Sequence, residues 1–188
     1  AVWRPENGTW YWINSSNITF SALQWGQDGD APMAGNVVWD RKAPFTVYRP
    51  SSGTWYRLEG TAYRINVLQF GLPGDVPLHG RYLDRAPFQS TPTLYRPSTR
   101  QFVMGAWEVP GPVPTVVQWG LAGDIPVCGD FDGDFITDVG VYRPSNGRWE
   151  IRRSSVNNNP TLALYAWTWG QTGDIPVVAD YNGDLHDD

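Results

Sequence analysis

The chain has few residues of the types on which most catalytic and covalent chemistry depends. It contains one cysteine, Cys128, and two histidines, His79 and His186, in 188 residues. A single cysteine excludes an internal disulfide framework, and its place beside Pro126 and Val127 predicts a structural thiol in a buried strand. Neither histidine lies in a nucleophile, metal-hydrolase or phosphate-loop motif, and the four glutamates are scattered. The sequence therefore predicts a protein that is not an enzyme.

The sequence also lacks a long apolar run, a basic stripe and any long amphipathic helical pattern. Without a long apolar run we expect no membrane insertion. Without a basic stripe we expect no nucleic-acid partner. A signal peptide and an initiator methionine are missing too, which predicts a processed mature protein or a fragment.

Aromatic residues, glycine and proline are abundant instead. The chain has 11 Trp, 9 Tyr and 7 Phe beside 20 Gly and 16 Pro. Aromatic residues favour strands, whereas glycine and proline favour tight turns. With 41% hydrophobic residues the chain can bury a core. The composition predicts an all-β globular protein.

Two phrases recur four times with a period of about 47 residues. The first has the form aromatic-Gly-x-x-Gly-Asp-x-Pro and occupies residues 25–32, 70–77, 119–126 and 169–176. The second has the form aromatic-Arg-Pro and occupies residues 3–5, 48–50, 95–97 and 142–144. Such a period is typical of propeller blades. We predict a single β-propeller domain over residues 1–188, with four four-stranded antiparallel blades; a β-sandwich is the competing all-β arrangement.

The third repeat serves as the template for the strands of one blade. Its pattern predicts four strands, at residues 125–129, 139–142, 149–153 and 162–169. Because Asn and Gly tolerate positive φ, a hairpin turn is expected at 145–147, and also at 6–8 and 51–53. Residues 98–100 have no glycine and are predicted to turn differently.

The two ends of the chain match as halves of one repeat. Placing Asp188 opposite Asp138 and Val2 opposite Val141 leaves one residue missing at the join. We therefore predict one blade shared by the N- and C-termini, in which the strand near Val2 pairs with the strand near Val177. Sharing a blade would cover open sheet edges. The favoured assembly is a monomeric four-bladed ring; an eight-bladed dimer, a larger assembly and a cut from a longer array are the alternatives.

Acidic loops follow the first strand in the third and fourth repeats, at residues 130–138 and 180–188. Side-chain oxygens stand at loop positions 1, 3, 5 and 9, and a glycine at position 4 allows a sharp bend. A hard cation needs six to eight oxygens, some of them backbone carbonyls. Candidate ligands are the side chains of Asp130, Asp132, Asp134 and Asp138 in the first loop and of Asp180, Asn182, Asp184 and Asp188 in the second, with the position-7 carbonyls of Ile136 and His186.

Calcium is the cation that this pattern favours. Magnesium prefers a strict octahedron that retains water, and zinc prefers His or Cys side chains, which the pattern does not use. The plain alternative is a pair of solvated Asp-Gly turns, but four acidic or amide side chains within nine residues, repeated at equivalent positions, favour a cation. We predict two Ca²⁺ sites.

The first two repeats have lost this acidic pattern. Basic residues replace the acids at 35–42 and 80–85, so no ion is expected there. Local ion pairs are expected instead, between the bases Arg41, Lys42, Arg81 and Arg85 and the acids Asp40 and Asp84.

The acidic loop, the preceding Gly-Asp and the Phe-Gly or Trp-Gly phrase together resemble the FG-GAP/VCBS repeats of integrin α-chain propellers and bacterial secreted proteins. The resemblance spans the whole chain. It implies calcium between the first and second strands of a blade, held by the residues named above. It also implies a secreted, extracellular protein.

Two further sets of residues recur or vary between repeats. Each repeat carries one Gly-Asp carboxylate (Asp30, Asp75, Asp124, Asp174) and one arginine (Arg4, Arg49, Arg96, Arg143), which predicts architectural ion pairs. Tryptophans that differ between repeats are candidates for binding a sugar or a protein, although each is more simply a core residue: Trp12, Trp39, Trp107 and Trp167.

The function that follows is an extracellular calcium-binding propeller that acts as a protein-interaction or self-assembly scaffold. A lectin-like carbohydrate-binding propeller and an accessory non-catalytic domain of a secreted enzyme are the alternatives. Fold alone does not choose between them.

Overall fold

The fold is all-β, with one antiparallel sheet in each repeat. A computed structural model describes residues 1–33, 43–60, 63–80, 91–107, 113–156 and 164–188. Within those ranges there are fifteen strands and one short 3-10 helix, Pro5–Asn7. Three sheets have four strands and one has three. The predicted all-β propeller fold class, with four antiparallel blades, is confirmed.

The chain divides into two compact units, Ala1–Pro77 and Leu78–Asp188. Whether residues 1–188 form one domain stays a prediction. The first unit holds a three-stranded sheet in the order β1-β2-β3 and a four-stranded sheet in the order β4-β5-β6-β7. Their bounds are β1 Val2–Arg4, β2 Thr9–Asn14, β3 Thr19–Gln24, β4 Ala31–Met33, β5 Phe45–Arg49, β6 Thr54–Glu59 and β7 Arg64–Gln69.

The remaining strands form two four-stranded sheets, ordered β11-β10-β9-β8 and β12-β13-β14-β15. Their bounds are β8 Val76–Leu78, β9 Thr93–Arg96, β10 Gln101–Met104, β11 Thr115–Gln118, β12 Ile125–Gly129, β13 Asp138–Arg143, β14 Arg148–Arg152 and β15 Leu164–Thr168. The four strands predicted for the third repeat are therefore confirmed to within one or two residues. Part of the predicted start of the last strand, at 162–163, lies outside the described residues.

The N-terminal sheet has three strands where four were predicted. β1 pairs with β2, and no strand forms at residues 174–180, from which the fourth was expected. The predicted blade shared by the two termini stays a prediction.

A pair of aromatic rings lies across neighbouring strands of three sheets. The tyrosine of the repeated Tyr-Arg-Pro phrase stands opposite an aromatic residue of the next strand, with centroid separations of 5.0 Å for Tyr48 and Trp55 and 5.1 Å for Tyr142 and Trp149. The same pair forms at 4.8 Å between residues 95 and 102. All three tyrosines are almost fully buried. Each pair adds about 0.5 to 1.5 kcal/mol to the free energy of burial.

The hairpin turn between the second and third strands ends on a residue with left-handed backbone in all four repeats. Gly8, Gly53 and Gly147 end it with φ of +60°, +63° and +65°. Arg100 takes φ of +57° at the equivalent position, and its N–H and that of Thr99 both donate to the Arg96 carbonyl. The prediction that residues 98–100 turn differently is wrong, because the hydrogen bonds of the turn hold a non-glycine residue in the left-handed region.

The recurrent arginine and Gly-Asp carboxylate form an ion pair in the first and third repeats. Arg49 contacts Asp30 at 2.8 Å, and Arg143 contacts Asp124 at 2.9 Å. The predicted pairing is confirmed there. For Arg4, Arg96 and their partners it stays a prediction.

Candidate metal centre

The first acidic loop joins two neighbouring strands and is shaped by Asp130. It runs from the end of β12 to the start of β13, and the Asp130 carboxylate accepts three backbone hydrogen bonds, from Gly133 (2.8 Å), Asp134 (3.1 Å) and Phe135 (2.7 Å). Gly133 and Phe135 have φ of +75° and +64°. These bonds wrap the loop around one carboxylate.

Asp138 closes the loop from a buried position. Its carboxylate accepts hydrogen bonds from the backbone N–H of Phe131 at 3.0 Å and of Ser154 at 2.7 Å. Burial raises the pKa of Asp138 to about 7, and the nearby charge of Asp132 adds to this, while the two backbone donors oppose it. Burial likewise raises the pKa of Asp130. In both cases burial disfavours the charged form of the carboxylate.

Three of the predicted ligands meet. Asp130, Asp132 and Asp138 each place one carboxylate oxygen within 4.8 Å of the other two. Asp132 Oδ1 is buried and has no hydrogen-bond partner among the described residues, while Oδ2 accepts a bond from the Ser155 hydroxyl. A buried oxygen without a partner is costly, and a bound cation would satisfy it. The donor set therefore fits a hard, oxygen-binding metal ion.

The other two residues predicted for this loop make protein contacts. Asp134 Oδ1 accepts a hydrogen bond from the Ile136 N–H at 2.8 Å, and Oδ2 accepts one from the Ser154 hydroxyl at 2.9 Å. Asp134 is not one of the three clustered carboxylates. The structure thus brings together three of the four predicted carboxylate ligands.

The second loop repeats the same backbone pattern in a more exposed setting. Asp180 accepts bonds from Gly183 at 2.6 Å and Leu185 at 3.0 Å, and these bonds lower its pKa. Asp188 accepts the Tyr181 N–H at 3.1 Å, as Asp138 does from Phe131. Asn182 accepts the N–H of residue 184, and Asp184 accepts that of residue 186, each at 2.9 Å. Among the described residues, only the first loop brings three acidic ligand atoms this close.

Residues outside the predicted ligand set support the first loop. The carboxylate of Asp187 accepts the Asp130 N–H at 2.7 Å, and the Asp187 N–H donates to the Asp130 carbonyl at 2.8 Å. Ser154 and Ser155, which follow β14, bond to three of the loop carboxylates. The serines could have been predicted from strand pairing alone. Because β14 pairs with β13, the residues after β14 must lie beside the start of β13, at Asp138.

Several predictions concern residues whose structure lies outside the described ranges. They include the loss of the ion pattern at 35–42 and 81–85, and the ion pairs of Arg41, Lys42, Arg81 and Arg85 with Asp40 and Asp84. They also include Trp39 as a binding residue. These stay predictions.

Of the described tryptophan candidates, Trp12 and Trp107 are half-buried and Trp167 is exposed. Trp12 packs against Phe45 with a centroid separation of 5.1 Å, and Trp107 is half-buried. Trp167 stacks on Trp149 at 6.0 Å with an interplanar angle of 6°. Trp12 and Trp167 thus make intramolecular ring contacts. Cys128 is half-buried, and its thiol donates to the carbonyl of residue 79 at 3.1 Å.

Comparison of the chain with protein-family models, curated proteins and solved structures finds no match. Within the described residues, no helix has the length and apolar character needed to cross a membrane.

Proposed function

We propose that this chain is an extracellular, calcium-binding β-propeller module that serves as a protein-interaction or self-assembly scaffold and has no catalytic activity of its own. The observation that carries the calcium proposal is the cluster of Asp130, Asp132 and Asp138 carboxylates, in which Asp132 also has a buried oxygen, Oδ1, with no hydrogen-bond partner among the described residues. The likeness of the repeated phrases to FG-GAP/VCBS repeats supports the same ion and an extracellular location. The lectin-like and accessory-domain alternatives stay predictions.

The residues of the first loop would hold the ion between two strands. Asp130, Asp132 and Asp138 would supply carboxylate oxygens, and Asp134 and the Ile136 carbonyl would supply further oxygen ligands. Calcium accepts such a flexible set of oxygen ligands more readily than magnesium does. The bound cation would supply positive charge to buried carboxylates. Because Asp130 precedes β13 and Asp138 begins it, the ion would fasten the β12–β13 connection in its native form.

The second loop is the weaker proposed site. Asp180, Asn182, Asp184, Asp188 and the His186 carbonyl occupy the equivalent positions, but their side chains are exposed. A cation there would be screened by solvent, and the amide of Asn182 contributes no charge. We therefore propose two sites, of which the first binds calcium more tightly.

Calcium titration into chelated protein tests this function. An ion that binds only the folded state stabilises it by RT ln(1 + [L]/Kd), which is about 1 to 3 kcal/mol at about 10 mM calcium for a Kd of about 10⁻⁴ to 10⁻³ M. We expect the melting temperature to rise with calcium and much less with magnesium. Asp132→Asn should remove most of the rise, whereas Asp28→Asn, at an exposed position outside both loops, should leave it intact. An unchanged melting temperature at 10 mM calcium would contradict the proposal.

A further inference from the structure

The fourth copy of the Trp-Gly-x-x-Gly-Asp-x-Pro phrase is more exposed than the other copies. Trp169, Ile175 and Val177 are 77%, 82% and 65% exposed. The residues equivalent to Val177 in the first and third copies, Met33 and Val127, are 9% and 5% exposed.

The carboxylate of the same phrase shows the same contrast. Asp174 is exposed, and within the described ranges it forms no ion pair. Its equivalents Asp30 and Asp124 are 6% and 9% exposed and each contact an arginine. The fourth copy therefore presents an uncovered apolar strip that ends in an uncompensated carboxylate.

A cavity of about 420 Å³ lies along this strip. Its walls include Tyr142 and Trp149 from the neighbouring sheet, Ile175 and Val177 from the strip itself, and Tyr181 and Asp188 from the second acidic loop. Aromatic and aliphatic side chains form most of the walls, beside the carboxylates of Asp174 and Asp188. A surface of this kind marks a docking site.

The third repeat shows which element covers the equivalent strip. There β13 pairs with β12 so that Tyr142 stands opposite Ile125, and Arg143 bonds to Asp124 through Nε and Nη2, both at 2.9 Å. In the second sheet, Tyr48 stands opposite Ala31 in the same way. The fourth strip thus requires an extended strand that ends in aromatic-Arg-Pro.

β1 is a strand of that description, and one of its edges has no partner strand among the described residues. It reads Val2-Trp3-Arg4 and is followed by Pro5, it pairs with β2, and Val2 is 67% exposed. Arg4 lies 4.8 Å from the ring of Tyr11, as Arg49 lies 4.4 Å from that of its own tyrosine. Arg49 also has a carboxylate partner, whereas Arg4 has none among the described residues. Arg4 therefore lacks a carboxylate partner and Asp174 lacks a basic partner among the described residues.

We propose that β1 of one copy of this chain docks as an added antiparallel strand on residues 174–177 of a second copy. By the register of the third repeat, Trp3 would stand opposite Ile175, and the Arg4 guanidinium would bond to the Asp174 carboxylate. Strand addition gives affinity through main-chain hydrogen bonds and specificity through side-chain pockets. The contact joins different surfaces of the two copies, so it produces a closed dimer or a larger assembly.

This inference rests on the self-assembly role proposed above and does not depend on calcium at the first loop. Light scattering across a concentration series, with and without chelator, tests it. We expect a mass of at least twice 21.1 kDa at high concentration. Arg4→Glu and Asp174→Arg should each give monomers, because each places like charges at the contact. The matched controls Arg64→Glu and Asp28→Arg change exposed charges elsewhere and should assemble as the parent does.

Charge exchange makes the test specific. An equimolar mixture of the Arg4→Glu and Asp174→Arg chains, and the double variant alone, both restore opposite charges and should recover the assembly. A parent chain that stays monomeric, or an assembly that these substitutions leave unchanged, would overturn the inference. A monomer that binds a glycan in a Trp169-dependent way would assign the cavity to sugar and overturn it equally. None of these outcomes alters the melting shift caused by calcium at the first loop, so the two proposals fail separately.

Discussion

The Arg143 guanidinium donates two hydrogen bonds, both of 2.9 Å, to the Asp124 carboxylate across the first two strands of the third repeat. Asp124 Oδ2 also accepts the N–H of Leu121, three residues earlier. Arg49 and Asp30 make the same contact, and the two aspartate side chains are 0% and 1% exposed. One carboxylate therefore fastens the Gly-x-x-Gly-Asp turn to the neighbouring strand, which explains why both residues recur.

Removing Arg143 should lower the free energy of unfolding more than removing one partner of an exposed ion pair does. Arg143→Met would leave Asp124 buried without its cation, and breaking a buried pair costs about 3 kcal/mol or more of the free energy of unfolding. Arg148→Met is the matched control, since its pair with Glu150 is more exposed and exposed pairs contribute about 0 to 1 kcal/mol. Urea unfolding of both variants measures the difference. Equal losses would show that the recurrent pair has no architectural role.

The hairpin glycine of the third repeat should not accept a side chain. Gly147 has φ of +65°, and a Cβ there would lie 2.5 Å from the carbonyl oxygen of Gly170. Left-handed backbone alone costs a non-glycine residue about 1 to 2 kcal/mol, and the close approach to backbone adds to it. We expect Gly147→Ala to lose at least about 2 kcal/mol in urea unfolding. Gly123→Ala is the control for the φ effect, because φ there is +87° with open space around the Cβ; a similar loss in both would argue against the contact.

Replacing a non-glycine residue by glycine is expected to stabilise the hairpin of the second repeat, between β9 and β10. Arg100 holds φ of +57° where the other repeats have glycine. Arg100→Gly removes the left-handed strain and loses part of the gain to the greater freedom of the unfolded chain, for a net of roughly 0.5 kcal/mol. Arg100→Ala keeps a Cβ and should show no gain. A melting temperature that falls in the glycine variant and not in the alanine variant would contradict this reading of the turn.

Features set by neighbouring residues were predicted from the sequence more accurately than contacts between segments distant in the chain. Strands and turns depend on local phrases, so the recurrence of the phrases placed them well, and Asp130 and Asp138 fall together because they flank one loop. Asp187 and Ser154 were missed because their contacts with the loop arise from tertiary packing between separate segments. Arg100 misled because propensity disfavours a left-handed arginine, whereas the hydrogen bonds of the hairpin impose that conformation.

Asp187 should control the calcium affinity of the first loop without binding the ion. Its carboxylate accepts the Asp130 N–H and its own N–H donates to the Asp130 carbonyl, so it fixes the residue at which the loop begins. Loss of an outer residue that orients a ligand typically weakens metal binding about 10- to 100-fold. We therefore expect Asp187→Ala to raise the Kd for calcium at this loop by about tenfold, whereas Asp132→Asn should abolish binding there.

Calcium titration of both variants, in a background in which Asp184→Ala disables the second loop, measures this effect on one site at a time. Because Asp187 acts through geometry, saturating calcium should bring the Asp187→Ala chain to the same folded state as the parent, with the midpoint of the titration displaced. Asp132→Asn should show no saturable stage at any concentration. An unshifted midpoint for Asp187→Ala would mean that Asp130 holds its position through Gly133, Asp134 and Phe135 alone.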